Sequence, residues 1–266
     1  AAAAVAGVDA VYAVGGAQAV AAMAFGTESI PPVDVIAGPG NVYVALAKRE
    51  VAGLVGVPSA FAGPSEVVVV ADATVPAAFA AIDVVVQAEH GPDGLAWLIT
   101  WDEAVADAVD AEVARIVEGS PRRDDVTATL ASAGWVVLVD GPDDALAVSD
   151  AIAPEHLQLM VAGAESLADR VRHAGAVFCG PWSPASLGDY VAGPSHVLPT
   201  AGTARFSGAL TVADFTKEVH VVTADRDALE RLAPHVAALA DAEGLDAHAE
   251  SVRIRTNSSP GTGNDA

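Results

Sequence analysis

EVVVVADATVPAAFAAIDVVVQAEHGPDGLAWLIT (66–100) is the stretch from which the fold can be read. It opens with EVVVVAD (66–72), an apolar run too continuous for a strand with one wet face. A run of this kind describes a strand covered on both faces, as in a parallel sheet. An Ala-rich helical stretch (75–89) follows, then a second buried strand, LAWLIT (95–100). A helix between two such strands is a crossover of right hand. Outward from this unit the alternation continues. Strand-like runs lie at 8–14, 33–38, 135–140, 157–161 and 176–180, and helical stretches at 16–26, 41–53, 102–118, 143–152 and 164–174. Asp102, Asp143 and Ser166 stand where N-caps or first turns belong. Strand–helix alternation means α/β.

The margins differ. Ala1–Val5 reads as the end of a helix, and the first residues have neither a starting Met nor a basic n-region, so no signal peptide is expected and the chain starts inside a fold. Residues 181–215 are loop-rich, 224–243 form one long amphipathic helix, SVRIR (251–255) alternates like a short strand, and 256–266 is a polar, turn-rich tail. Boundaries are expected near 60–64, where VPSAFAGPS interrupts the alternation with two prolines, and near 208–215.

Composition excludes several function classes. At 52% hydrophobic over 266 residues the chain can bury a large core. Cys179, the single cysteine, excludes a disulfide scaffold and a thiolate zinc cluster. No uninterrupted apolar run approaches the roughly 18 residues of a spanning helix. Thirteen Lys and Arg against 35 Asp and Glu give −22, and Lys48 and Lys217 are the lysines. Such a surface repels phosphate backbones and anionic lipid, so neither nucleic acid nor membrane is an expected partner. It also suits a salt-rich cytoplasm, where screening removes self-repulsion.

Six short motifs carry polar groups with chemical potential. VYAVGGAQA (11–19) and DVIAGPGNVYVA (34–45) each place glycines where a strand opens a helix, which presents free N–H groups to an anion, although such glycines also serve packing alone. In Gln87-Ala-Glu-His90 the first and last residues share a helical face and can converge on a metal; a His in the last turn can equally answer the helix dipole. Ala153-Pro-Glu-His-Leu157 sets an acid beside an imidazole at the mouth of a strand, pointing apart, either for two proton transfers or as a capping Glu and an exposed His. Asp189 and His196 lie in a Gly- and Pro-held loop, as functional residues or as a cap and a surface His. Glu243-Gly-Leu-Asp-Ala-His248 closes the long helix, with Gly244 fitting a C′ position. Gln, His, Asp and Glu without Cys make an N/O set suited to zinc or a similar borderline metal.

In this order and spacing the motifs resemble the histidinol dehydrogenase family. The matching stretches are VGGAQAVAAMAFGTESIPPVDVIAGPGN (14–41), AGPSEVVVVAD (62–72), QAEHGPD (87–93), APEHLQL (153–159), GPWSPASLGDYVAGPSHVLPT (180–200), LTVADFTKEV (210–219) and EGLDAH (243–248). The resemblance implies two incomplete Rossmann-like parallel-sheet domains plus a C-terminal helical arm: 1–62 on the NAD side, 63–208 on the zinc and substrate side, 209–256 as dimerisation arm, and 257–266 as disordered tail. It implies one zinc ion per subunit on Gln87, His90, Asp189 and His248, the last donated in trans within a homodimer. Glu155 and His156 match the family's catalytic pair. Gln18 and Asn41 match positions that contact NAD. Ser65, Glu243, His196, His156 and the zinc ligands match the lining of the substrate pocket. The implied activity is the cytoplasmic oxidation of L-histidinol to L-histidine through L-histidinaldehyde, consuming two NAD and ending histidine biosynthesis. Three departures stand against the family pattern: roughly the first two-fifths of its chain is missing, Pro58-Ser59 replaces an Ile-Asp pair, and Ser195 stands where Asn is common. Rival readings are a truncated chain that binds zinc or imidazole without turnover, and a zinc dehydrogenase for another amino alcohol.

Overall fold

The computed structural model describes residues 1–58, 63–89, 91 and 94–257. Along the chain come helices α1 (Ala2–Val5), α2 (Gly16–Phe25) and α3 (Val42–Val51), strand β1 (Glu66–Ala71), α4 (Ala77–Ala88), β2 (Leu95–Thr100), α5 (Glu103–Glu118) and α6 (Arg123–Ala133). There follow β3 (Gly134–Leu138), α7 (Pro142–Ile152), β4 (His156–Met160), α8 (Ala164–Ala168), β5 (Ala176–Cys179), α9 (Ala185–Tyr190), α10 (Arg226–Ala242) and α11 (Asp246–Asn257). The strands form one parallel sheet in the order β3-β2-β1-β4-β5.

The valines of β1 explain the layers. Val67 and Val69 pack with Ala80 and Val84 of α4, Leu98 of β2 and Val105 and Val109 of α5. Val68 and Val70 face the other way, against Leu146 of α7, Leu157 and Leu159 of β4 and Leu167 of α8. Successive side chains of a strand alternate between faces, so a run of Val is compatible only with helices on both. Burying each such side chain contributes about 1.5–3 kcal/mol. Asp102 caps α5 as expected, accepting from the Ala104 N–H at 2.9 Å.

Several sequence-based expectations are corrected. Residues 8–14 are not a strand, and 33–38 contribute one bridge, Val35 to Gly56. A strand needs a hydrogen-bonded neighbour, and among the described residues none lies beside 8–14. Among the described residues the strands belong to a single sheet; the amino-terminal lobe is α2 and α3 packed around Val20, Ile36, Val51 and Val55. SVRIR (251–255) belongs to α11, where Ala249 and Val252 are buried at helical spacing. The helix expected over 164–174 stops at Ala168, because the Asp150 carboxylate takes the N–H groups of Arg172 and His173 and diverts the chain. Helix α6 went unread because RDDVTATLASA is polar, yet its buried Val126, Thr129 and Ala133 sit three and four apart and Val126 packs on Val85, Ala88 and Val117. The boundary near 60–64 falls partly on residues outside those described, as does the tail from 258 onward. Asn257 is the last residue of α11 rather than tail.

The chain divides into two compact units, 1–216 and 217–266. In the second, α10 packs on α11, burying Ala233, Ala240, Ala249 and Val252. Gly244 takes φ +72 after α10, the left-handed C′ conformation expected of it. Among the described residues no helix is long and apolar enough to cross a membrane.

Candidate active site

In an open parallel sheet the ligand crevice normally lies beyond the carboxyl ends of the strands, where the strand order reverses. Here that point lies between β1 and β4, and on its carboxyl side Asp72 ties the two strand ends together. Asp72 accepts from Thr74 N at 2.8 Å and from Ala162 N at 2.9 Å, while its own N–H donates to Met160 O at 3.1 Å. The sequence-selected residues gather instead at the amino ends of the same strands.

Helix α7 ends at Ala153, held at φ +55, ψ +60, and Pro154 then delivers Glu155 and His156 to the start of β4. His156 stands opposite Val67 in the parallel register, which places both residues beside Glu66. The Glu66 peptide N–H donates to Glu155 Oε2 at 3.1 Å, and its carbonyl oxygen faces His156 Nδ1 at 3.2 Å. Glu155 Oε2 and His156 Nδ1 lie 3.6 Å apart. The pair was expected to point apart; the shared grip of Glu66 brings it together. Burial pushes the Glu155 carboxyl up to about 7, against hydrogen bonds from the Glu66 N–H and the Ser65 hydroxyl that favour its charge. A carbonyl can only accept, so Nδ1 carries the hydrogen in that bond and the lone pair of a neutral ring is left on Nε2.

His156 Nε2 looks toward Asp189 Oδ1 at 3.5 Å. Asp189 is not on an irregular loop, as expected, but in the short helix α9. That helix approaches closely because position 188 is Gly: a Cβ there would lie 2.7 Å from the Phe178 ring. The Phe178 ring in turn flanks His156, with centroids 5.9 Å apart. His156, Phe178, Asp189, Ser195, His196 and Leu198 line a cleft of about 350 Å³.

Gln87 sits at the end of α4, at the same edge of the sheet, because a crossover helix runs back against its strands. It is buried, and its Nε2 has no hydrogen-bond partner among the described residues. A buried amide with an unsatisfied end is costly, and turning it over would present Oε1, a ligand atom, at that point. An amide oxygen and a carboxylate such as that of Asp189 are donor types that suit a borderline cation. Among the described residues no three His, Cys, Asp or Glu side chains cluster as a metal site. His90 lies outside the described residues.

Comparison with known proteins identifies the family. A family profile described as histidinol dehydrogenase matches residues 1–256. The chain belongs to the histidinol dehydrogenase family. It is 52% identical to the histidinol dehydrogenase of Parasynechococcus marenigrum strain WH8102 over 96% of this chain and 58% of that protein. It is 51% identical to the one from Chlorobium chlorochromatii strain CaD3, over 96% of this chain and 59% of that protein. The crystal structure of histidinol dehydrogenase from Elizabethkingia anophelis superposes with a TM-score of 0.89 at 36% identity, covering 95% of this chain and 58% of that one. The chain thus spans a little under three-fifths of the length of the relatives it matches.

The structure brings together Ser65, Glu155, His156, Asp189 and His196. Gln18 and Asn41 lie in the α2–α3 lobe and not in the cleft lining. Gln18 is in the first turn of α2, its side chain folded over Gly16; Asn41 caps α3, accepting from Val44 N at 3.1 Å. The loop before α3 makes a close backbone approach, since a Cβ at Gly40 would lie 2.4 Å from Val44 Cγ1. Lys48 reaches back from α3 to donate to the Gly38 carbonyl. Glu243 and His248 belong to the second unit, both exposed. Sequence reasoning missed Glu66. Its signal was an acid beginning a strand whose other residues demand burial on both faces.

Proposed function

We propose that the protein carrying this chain oxidises L-histidinol to L-histidine through L-histidinaldehyde, by two hydride transfers to NAD at a zinc-holding site. The observation that carries this reading is the buried Glu155–His156 pair, with a carboxyl pushed up to about 7 beside an imidazole whose Nε2 faces Asp189, a residue of the cleft lining. His156 Nε2 accepts the alcohol proton as hydride leaves the carbinol carbon. Glu155, able to exchange a proton near neutrality, takes a proton from water as it adds to the aldehyde, and the hydrate then gives up the second hydride. Burial of the pair limits escape of the aldehyde between steps.

Gln87, His90 and Asp189, with His248 of a second copy, would hold zinc, which would supply a Lewis-acid anchor for the substrate without a change of redox state. Gln18, Asn41 and the glycine turns before α2 and α3 would hold NAD, the hydride acceptor. Because 33–38 is tied by one bridge, a second reading holds for the chain by itself: binding of metal or imidazole without turnover.

The deciding experiment joins this chain to the segment of the Parasynechococcus relative that it does not cover, and follows NADH with L-histidinol, NAD and zinc. Two NADH per histidinol are expected from the joined protein. A folded, zinc-loaded protein that forms none refutes the activity. Turnover by the 266-residue chain alone refutes the second reading. Mixed His248→Ala and Glu155→Gln subunits should recover activity if the site is shared between copies, and hybrids without recovery would remove that claim.

A further inference from the structure

Glu66 stands where three separate segments meet, and no role above uses its side chain. The residue is 4% exposed. Its peptide group holds both members of the pair, as described. Its carboxyl does something different: Oε1 accepts from the Ala201 N–H at 3.0 Å, while Oε2 is buried without a hydrogen-bond partner among the described residues. Ala201 is one of two non-glycine residues with positive φ among those described, at +55; the other is Ala153, which delivers the pair. A left-handed alanine persists only where its surroundings hold it. The turn is also sewn to the segment before β1, since Thr200 Oγ1 accepts from the Gly63 N–H and the Thr203 hydroxyl donates to Thr200 O at 2.7 Å.

The same turn bears on the pair from the other side. A Cβ at Gly175 would lie 2.6 Å from the Glu155 carbonyl oxygen, 3.1 Å from Pro199 Cδ and 3.3 Å from Leu198 Cβ. The backbone of the pair and the 198–199 segment therefore close on one glycine. His196 and Leu198, immediately before the turn, line the cleft that His156 and Asp189 share.

We propose that Glu66 is a positioning residue: its peptide group sets Glu155 and His156, and its carboxyl fastens the turn at Ala201, so that the His196–Leu198 wall keeps register with the pair. The inference rests on Glu155 and His156 being the reacting pair. An apolar side chain at 66 would leave the Ala201 N–H without its acceptor and release the left-handed turn. The Glu66 peptide would then lose the tether that keeps its carbonyl on His156 Nδ1, and the imidazole would sample both tautomers.

The test uses the joined protein with Glu66→Gln, which keeps a carbonyl oxygen for Ala201, and Glu66→Leu, which does not. Glu66→Leu should lose about tenfold or more in kcat for L-histidinol with KM for NAD within about twofold, the mark of misplaced groups rather than lost cofactor binding. Glu66→Gln should restore kcat to within about threefold of the parent. Nitrogen-15 NMR of labelled histidine should show His156 protonated at Nδ1 in the parent and in Glu66→Gln, and a tautomer mixture in Glu66→Leu. A folded Glu66→Leu with parental kcat, an unmoved His156 tautomer, or a Glu66→Gln no better than Glu66→Leu would each overturn the proposal. If Glu66→Leu does not fold, Glu66→Asp takes its place, its carboxyl one methylene too short for Ala201, with the same outcomes read. A parent that forms no NADH would sink the proposed activity alone, and the tautomer comparison would still decide the positioning role.

Discussion

The two ends of strands β1 and β4 are built on opposite terms. At the carboxyl ends one carboxylate, Asp72, spends both oxygens on backbone N–H groups. At the amino ends Glu155 and Asp189 flank one imidazole with the Glu66 main chain beside it, and Glu66 Oε2 and Gln87 Nε2 are buried without partners among the described residues. One turn before Gln87 on α4, Asp83 is buried too, its carboxyl pushed up to about 6 by desolvation. The topological rule points to the carboxyl end; unsatisfied polar atoms point to the amino end. The second guide is the more direct one, because an orphaned buried group is a standing cost that a ligand or a proton can relieve.

The contrast can be broken most forcefully at Glu155. Glu155→Gln in the joined protein should slow conversion of the aldehyde by roughly 10²- to 10⁴-fold, and the alcohol step much less. Equal losses measured from alcohol and from aldehyde would remove its water-activating role. The same carboxyl should shape stability. Its folded pKa is raised, so the unfolded chain releases the proton first as pH climbs, and stability is lost between about 4.5 and 7. By pH 8 this amounts to about 3 kcal/mol, and denaturant titrations at pH 4 and pH 8 should show Glu155→Gln relieved of it. A parallel pH dependence in both proteins would contradict the burial argument.

Gly188→Ala drives a methyl into Phe178 and should cost about 2 kcal/mol, lifting Asp189 from His156 and weakening zinc binding measured by competition with a chelator. Unchanged zinc affinity would show that α9 does not position Asp189. The smallest effect belongs to the carboxyl end. Asp72→Asn surrenders one charge-assisted bond, about 1.5 kcal/mol by denaturation, with kcat/KM within about twofold. Loss of turnover in that variant would return the functional end of the sheet to its carboxyl side.

Legibility followed the range of the signal. The β1–α4–β2 unit could be read because Val67 to Val70, Ala80, Val84 and Leu98 carry their burial in local periodicity. Helix α6 could not, since its buried residues are outnumbered by polar ones that face solvent. The run at 8–14 carries a strand's apolar pattern, and a local pattern does not supply a hydrogen-bonded neighbour. In the site, Glu155, His156 and Asp189 were legible as motifs. Glu66 was not, because an acid at the start of a strand ordinarily meets water.

By itself the sequence determined the α/β class, the parallel pairing of the Val-rich strands, the family and the residue types available for acid–base and metal chemistry. All of these rest on periodicity, spacing or residue identity, which are properties of the chain as written. Tertiary structure decided which end of the sheet those residues share, that Glu155 and His156 are turned together, that Asp189 rides on a helix, and that Glu66 joins them to Ala201. Those are matters of strand register and close backbone approach between segments up to 135 residues apart, and no local pattern records them.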